Sequence, residues 1–406
     1  MRNFWLMRFT ILSIFFVIGF PHAASALLVK TGTYTGNGIN SREIVGFGFQ
    51  PDYVIVMPHS AQYAVFRPDT LVGDATLSFD DVPGGAQPNQ IKALRPDGFQ
   101  VGTHPSVNAS GVTYYYIGMQ KLAGELTTGS YVGNGVAGTQ ILVGFQPNLV
   151  ITRGQGVTDA VGRSSTIVGD LSFKMSSSSL SPNYIQALAQ GGTNSFTIGS
   201  SSKVNTSGVT YHWQAWKVAP DSFNLGTYTG NGLDNRDIAG VGFQPEIVFI
   251  ANNTSGTARP VIRTNAMVGD ASRRLHNVAL ELNRIQGIQP DGFQVGTAAE
   301  VNSGTITYHW MAWKNRALPP STLQLVKQVW LLGGSNPLAT SPSGTTIVPA
   351  SQTIVFLIYV KNNASSAPAD IRIQDLLDIT PTGFVMLLGA SFEQAQRHRR
   401  PIRHPI

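Results

Sequence analysis

Apolar and polar residues alternate along most of the chain with the period-two pattern of β-strands. In GFQVGT and TYHWQAWK a large apolar residue occupies every second position, which is how a strand presents one face to a core. Short β-branched runs such as DYVIVM and EIVFIA follow turns that contain proline. No stretch of the repeats described below keeps apolar residues at i, i+3, i+4 and i+7 over three helical turns. The pattern therefore predicts an all-β chain of short strands joined by glycine, asparagine, aspartate and serine turns.

The chain contains three copies of one sequence unit. The string GTYTGNG at residue 32 returns as GSYVGNG at 129 and as GTYTGNG at 226, a constant spacing of 97 residues. Each copy then continues with GFQP, VGD, an Asn-x-Ile string, VN and a strand centred on Thr-Tyr. A copy of about 90 residues is long enough to fold as a small domain. We predict three tandem antiparallel β-sandwiches of roughly six or seven strands each, at residues 31–121, 128–217 and 225–314.

The N-terminus has the features of a secretory signal peptide. Arg2 and Arg8 flank the start of an apolar run of about a dozen residues, which is too short to span a bilayer comfortably. The small-residue stretch AASA ends at Ala26, so residues 1–26 are predicted to be removed; a membrane anchor is the alternative. The chain has no cysteine, which favours a bacterial exporter over a eukaryotic one. We expect a secreted or cell-surface protein that does not span the membrane after cleavage.

The net charge of +6 does not indicate nucleic-acid binding. Two of these charges lie in the signal peptide and four in the C-terminal string RHRRPIRHPI, so residues 27–396 are close to neutral. A nucleic-acid site requires basic residues spread over a folded face. We therefore predict no nucleic-acid partner.

The sequence changes character after the third copy. A linker at 315–322 precedes a fourth segment at 323–392 and a basic tail, predicted to be disordered, at 393–406. The fourth segment resembles the start of an Ig-like repeat domain of unknown function that is common in bacterial cell-surface proteins. The resemblance is carried by three stretches: Val348–Gln352, Val360–Asn363 and Ala369–Leu377. It implies a stalk or spacer, and the later strands of that family are missing, as a truncation or frameshift would produce.

The glycine-rich string is the first candidate site. The spacing G-x-G-x-x-G occurs only at Gly133, Gly135 and Gly138, and a strand follows instead of the helix that a dinucleotide loop needs. A tight Asn-Gly turn of type I′ between two strands is the better interpretation. Its asparagines are predicted turn formers that could also line a ligand site: Asn37, Asn134 and Asn231.

The aspartates of the VGD strings are the second candidates. A single carboxylate after glycine is usually a turn residue that bonds nearby backbone. Calcium needs several oxygen ligands, and no neighbouring acidic residues supply them in the sequence. We predict turn residues, with calcium binding as the alternative, at Asp74, Asp170 and Asp270.

The last strand of each copy has two distinct faces. In the second copy Tyr211, Trp213 and Ala215 share one face, which we predict to be core, and His212, Gln214 and Trp216 share the other. Histidine and tryptophan on that second face could stack against a sugar. The interpretation we favour is that a sandwich edge or an interdomain contact covers them. The candidate ligand-binding residues are Tyr115, His212, Trp216, His309 and Trp313. One histidine per copy is too few for a zinc site.

The repeats are similar to H-type lectins and to phage-tail-like repeat proteins. The similarity rests on GFQPDYVIV, a later GFQV and a final strand YHWQAWK. H-type lectins are six-stranded sandwiches that form trimers or hexamers and bind sugars near subunit junctions. The resemblance implies that three copies on one chain could pack as an intrachain pseudo-trimer. Their sugar-binding residues have no counterparts here.

These observations favour a non-catalytic, exported binding protein. No Gly-x-Ser-x-Gly, His-Glu-x-x-His or cysteine nucleophile occurs, and no cofactor is predicted. The preferred hypothesis is that tandem lectin-like repeats bind glycans or a cell surface. The alternatives are a purely structural spacer or self-assembly module of an adhesin or extracellular matrix, and a glycan-acting enzyme. Exposure of Trp216 and Trp313 would favour binding, and their burial between copies would favour a structural role.

Overall fold

The repeats and the C-terminal strands belong to different compact units. The computed structural model describes residues 27–81, 85–156, 158–188, 193–252 and 258–316, and the backbone of 323–331, 354–362 and 403–405. One unit is Ala26–Ala317, and the C-terminal strands belong to the other. The predicted signal peptide and most of the predicted Ig-like segment lie outside the described residues.

The strands follow one another in the same order in all three repeats, with one short helix before the last strand, and the second repeat has one additional strand. The first repeat contains β1 (Val29–Thr35), β2 (Arg42–Val45), β3 (Tyr53–Pro58), β4 (Val65–Pro68), β5 (Leu77–Ser78), β6 (Ile91–Arg95), β7 (Gly98–Val101), α1 (Pro105–Asn108) and β8 (Thr113–Met119). The second contains β9 (Leu126–Val132), β10 (Thr139–Leu142), β11 (Leu149–Gly154), β12 (Val161–Ser164), β13 (Ser172–Lys174), β14 (Ser177–Ser181), β15 (Ile185–Leu188), β16 (Ser195–Ile198), α2 (Ser202–Asn205) and β17 (Thr210–Trp216). The third contains β18 (Phe223–Thr229), β19 (Arg236–Ala239), β20 (Ile247–Asn252), β21 (Val261–Thr264), β22 (Arg273–Arg274), β23 (Ile285–Gln289), β24 (Gly292–Val295), α3 (Ala299–Asn302) and β25 (Thr307–Trp313).

Each repeat is built from one large and one small antiparallel sheet. In the first repeat the large sheet has the order β1-β8-β3-β4-β5 and the small sheet the order β2-β7-β6. The third repeat has the same two orders, and the second adds β14 at the edge of its large sheet. In every repeat the first strand pairs antiparallel with the last. The all-β prediction is confirmed, although each repeat has more strands than the sequence suggested.

The glycine-rich string joins two different sheets. Strand β1 pairs with β8 whereas β2 pairs with β7, so the intervening turn is a crossover and the predicted type I′ hairpin is wrong. The last glycine of each GNG has a positive φ of 71° to 74°, which is why a residue without a Cβ is needed there. The glycine that opens the whole string GSYVGNG, Gly129, is needed for another reason: a Cβ there would overlap the ring of Trp213, its cross-strand partner.

Both faces of each large sheet are buried, against different partners. One face packs on the small sheet of its own repeat; in the second repeat this core includes Trp213, Ala215 and Phe196. The opposite faces of all three large sheets meet in a single cluster, which we call the central core. Its larger members include Tyr53, Phe249, Trp216 and Trp313. A cavity of about 30 Å³, lined by apolar side chains from all three repeats, lies within it.

The C-terminal unit contains three described strands. They are β26 (Leu323–Leu331), β27 (Ile354–Asn362) and β28 (Arg403–Pro405), paired antiparallel in that order. Strand β28 lies inside the segment 393–406 that the sequence predicts to be disordered.

Candidate binding surface

The histidines and tryptophans predicted to stack on a sugar lie inside the molecule. Trp216 is 2% exposed and Trp313 is 4% exposed, and their rings meet edge to face with centroids 5.8 Å apart. Tyr115, His212 and His309 are buried as well. They face the contacts between repeats, because the second face of each last strand completes the central core. This is the interdomain contact that the sequence analysis set against sugar stacking, and at 2–6% exposure these five side chains present almost no surface to a ligand.

The buried histidines are hydrogen-bonded across the junctions between repeats. His212 Nδ1 lies 2.7 Å from Thr70 Oγ1 of the first repeat, and its Nε2 lies 2.8 Å from Gln155 Nε2. His309 Nδ1 lies 2.8 Å from Thr166 Oγ1 of the second repeat. At the third junction the equivalent positions hold Tyr115 and Ala266, so an aromatic replaces the histidine where alanine replaces the threonine. Burial lowers the pKa of both histidines to about 4, which leaves them neutral at pH 7.

The asparagines of the GNG turns are held by a second, buried asparagine. The side chain of Asn134 accepts a hydrogen bond from Val136 N at 2.8 Å, an Asx turn. The backbone N–H of Asn134 donates to Oδ1 of Asn205, at 2.8 Å. Asn205 also donates through Nδ2 to the carbonyls of Val136 and Gly199, both at 2.9 Å. The other repeats use Asn37 with Asn108 and Asn231 with Asn302. All three predicted turn formers therefore have structural partners.

The VGD aspartates bond the turn at the Asn-x-Ile string. The carboxylate of Asp74 accepts a hydrogen bond from Asn89 N at 2.9 Å. Asp170 and Asp270 accept from Asn183 N and Asn283 N in the same way. The receiving asparagines have φ values of 62° to 66°, a conformation that asparagine tolerates better than most residues. In the described residues these three aspartates act as turn residues.

A buried arginine in each repeat holds the VGD loop. Arg163 is 7% exposed and donates four hydrogen bonds to backbone carbonyls, those of Leu171, Ile185, Ile167 and Gly169. Arg67 and Arg263 make the equivalent four bonds. We call these three the loop arginines. The sequence carried a signal for them that we did not use: an arginine recurs in VFRP, VGRS and VIRT, inside otherwise buried strands.

We expect Arg163→Ala to destabilise the protein by about 2–3 kcal/mol, because several loop carbonyls lose their donors at once. Arg163→Lys should recover only part of this loss, since a single ammonium cannot reach four carbonyls. Chemical unfolding measures both, and proteolysis of the 167–171 loop shows where order is lost. Arg95, whose side chain is 41% exposed and pairs with Glu43 at the surface, provides the control: Arg95→Ala should cost less than about 1 kcal/mol. Equal losses from the two alanine variants would contradict this assignment.

Three loops meet at one end of each repeat and form what we call the tip. In the first repeat they are the loops at 36–41, 72–74 and 89–92. Lys92 Nζ donates to Asn40 Oδ1 at 3.1 Å and lies 4.0 Å from Asp74 Oδ2, so it bridges the loops. In the third repeat Gln286 bridges Asp234 and Asp270, at 2.9 and 3.5 Å.

Each tip exposes the same apolar residue. The valine of VGD is 82% exposed at Val72, 80% at Val168 and 79% at Val268; we call these the tip valines. A second apolar residue is also exposed in the GNG loop of each repeat, at Ile39, Val136 and Leu233. Single exposed apolar residues are common, but here two of them recur at equivalent positions in three copies whose neighbouring polar residues differ.

Comparisons with known proteins identify no relative: no protein-family model matches the chain, and no curated protein matches it. Within the described part of the chain, no helix has the length and apolar character needed to cross a bilayer.

Proposed function

We propose that this chain is a non-catalytic, exported binding protein that contacts a glycan-bearing or other cell surface through its three tips. The observation that carries the proposal is the tip valine, about four-fifths exposed in every repeat, on a loop held by a buried arginine. A loop that only connects strands would be as stable with a polar residue at this position. Burying a valine side chain contributes roughly 1.5–3 kcal/mol, so covering the three tip valines with a ligand would contribute substantially to the free energy of binding.

The chemistry around the tip valines suits a carbohydrate. A sugar presents hydroxyl groups beside apolar C–H surfaces, and each tip has carboxylate or amide groups beside exposed apolar side chains. In the first repeat these are the carboxylate of Asp74 and the amide of Asn40, which the ammonium group of Lys92 bridges. Three weak sites on one compact unit gain avidity when they engage together, by about 10² or more where the geometry allows.

A purely structural role is the second candidate, and one observation favours it. The aromatic faces that could have bound ligands are used to join the three repeats in the central core. A spacer of a surface protein would need the stability that the central core provides, and it would need no ligand-binding site. The two functions differ in whether the tips bind anything.

The test is binding of the full chain to a glycan array and to bacterial cells, with a triple variant of the tip valines, Val72→Ser, Val168→Ser and Val268→Ser. We expect the triple variant to bind at least tenfold more weakly while its thermal midpoint stays unchanged, because exposed positions contribute little to stability. The matched control replaces exposed apolar residues at the far end of the small sheets, Val45→Ser and Leu142→Ser, which are 61% and 75% exposed. A wild-type chain that binds neither array nor cells would instead support the structural role.

A further inference from the structure

Three carboxylates from two repeats meet at the junction between the first and second repeats. Asp80 and Asp81 follow Phe79 of the central core, and Asp159 precedes Ala160 of the same core. One carboxylate oxygen from each lies within 4.8 Å of the others. Asp80 and Asp159 are both 4% exposed, whereas Asp81 reaches solvent. The cluster is therefore mostly buried but accessible from one side.

The backbone that carries these carboxylates is fixed on both sides of the junction. Ala160 N donates to Phe79 O at 2.9 Å. The fully buried Arg153 of the second repeat donates to Ser78 O at 3.0 Å and to Asp80 O at 3.3 Å. The three acids cannot separate without breaking contacts between the repeats.

The negative charge of the cluster is only partly compensated. Lys203 pairs with Oδ2 of Asp159, and the buried guanidinium of Arg153 interacts electrostatically with all three carboxylates. His276 of the third repeat contacts Oδ2 of Asp80. The other oxygen of Asp159, Oδ1, is buried and has no hydrogen-bond partner. Asp80 Oδ1 accepts one bond, from Asp81 N at 3.0 Å. A buried, unpartnered carboxylate oxygen beside two more carboxylates is costly unless a cation or a proton completes its environment.

We propose that these three carboxylates bind one hard divalent cation, such as Ca²⁺ or Mn²⁺, across the junction of the first two repeats. Ca²⁺ holds oxygen ligands at about 2.3–2.6 Å, so two oxygens on one ion are at most about 5.2 Å apart, and the cluster meets this limit. Asp81, being exposed, gives the ion a route of entry.

Such an ion would lock the first repeat to the second. Its ligands come from both repeats, so it binds only while the junction is formed and stabilises the folded state by mass action. This role is independent of ligand binding at the tips.

The experiment is thermal unfolding and titration calorimetry of the full chain, first stripped with chelator and then supplied with CaCl₂ or MnCl₂. We expect a saturable rise of the midpoint, of about 5 °C at a hundred times the dissociation constant. Asp81→Asn should abolish the rise and the calorimetric signal. Because Asp81 is exposed, this variant should fold, and its metal-free midpoint should equal or exceed that of the wild type.

Asp221→Asn is the control, since it removes an exposed aspartate outside the cluster, at a positive φ of 60° that asparagine tolerates; its response to metal should equal that of the wild type. Two results would overturn the proposal. One is an Asp81→Asn chain that still responds to metal. The other is a wild-type midpoint and calorimetric signal that change with neither ion.

Discussion

Lowering the pH from 7 to 4 should destabilise the three-repeat unit by on the order of 6 kcal/mol through His212 and His309 alone. Burial lowers the pKa of each histidine to about 4 in the folded state, whereas an unfolded histidine titrates near 6.5. Below the unfolded value the unfolded chain binds more protons, so stability falls as the pH drops from about 6.5 towards 4. Each histidine contributes about 3 kcal/mol to this loss.

Urea unfolding across this pH range measures the effect, with the double variant His212→Gln, His309→Gln as the comparison. Glutamine can keep a hydrogen bond to the junction threonines but does not titrate. The variant should be less stable than the wild type at pH 7 and should lose less on acidification. Carboxylates titrate equally in both chains, so the difference between the two curves isolates the histidines. Parallel curves would show that the junction histidines do not remain neutral in the folded protein.

Replacing Trp216 with alanine should destabilise the unit by about 3–5 kcal/mol, the range for large aromatic side chains in a core. Trp216 is 2% exposed and touches rings from both other repeats, with centroids 6.2 Å from Tyr53 and 5.8 Å from Trp313. It also lines the central cavity, so truncation enlarges a void that three repeats share. The loss should appear in the free energy of unfolding of all three repeats together.

Trp216→Phe provides the control for Trp216→Ala. The indole Nε1 of Trp216 is buried without a hydrogen-bond partner, so replacement by phenylalanine removes an unsatisfied donor while it keeps an aromatic ring in the core. We expect a loss of less than about 1.5 kcal/mol from this variant. If Trp216→Ala also cost under 1 kcal/mol, the repeats would not share a core in solution. A fluorescence-detected unfolding curve, with the remaining tryptophans as reporters, separates these outcomes.

The junctions explain why three copies of one sequence can differ from one another. A histidine faces a threonine at two junctions, and Tyr115 and Ala266 occupy the equivalent positions at the third. Each of the two junction histidines thus has a hydrogen-bonding partner on the neighbouring repeat, as a buried polar group requires in an interior that excludes water. Where one copy differs from the others at such a position, the facing residue on the neighbouring repeat differs as well.

The repeats and their strands could be predicted from the sequence because both depend on local pattern. The recurrence of GNG, GFQP, VGD and the Thr-Tyr strand is visible without any structure, and period-two alternation correctly assigned Tyr211, Trp213 and Ala215 to the core. Both faces of the last strand carry large aromatic side chains, so either face could form a core, although the second face also holds the polar His212 and Gln214. What covers the second face depends on the position of the other two repeats, and no local pattern contains that information.

Only the tertiary structure decided which residues remain available to a ligand. It placed His212, Trp216, His309 and Trp313 between repeats, and it left Val72 and its two equivalents in solvent. It also brought Asp80 and Asp81 to Asp159, although 78 residues separate Asp81 from Asp159 along the chain. Spacing in sequence cannot reveal such a cluster, because its members meet only when the faces of different repeats close on one another. The sequence alone determined the units of this protein, and packing between them determined its surfaces.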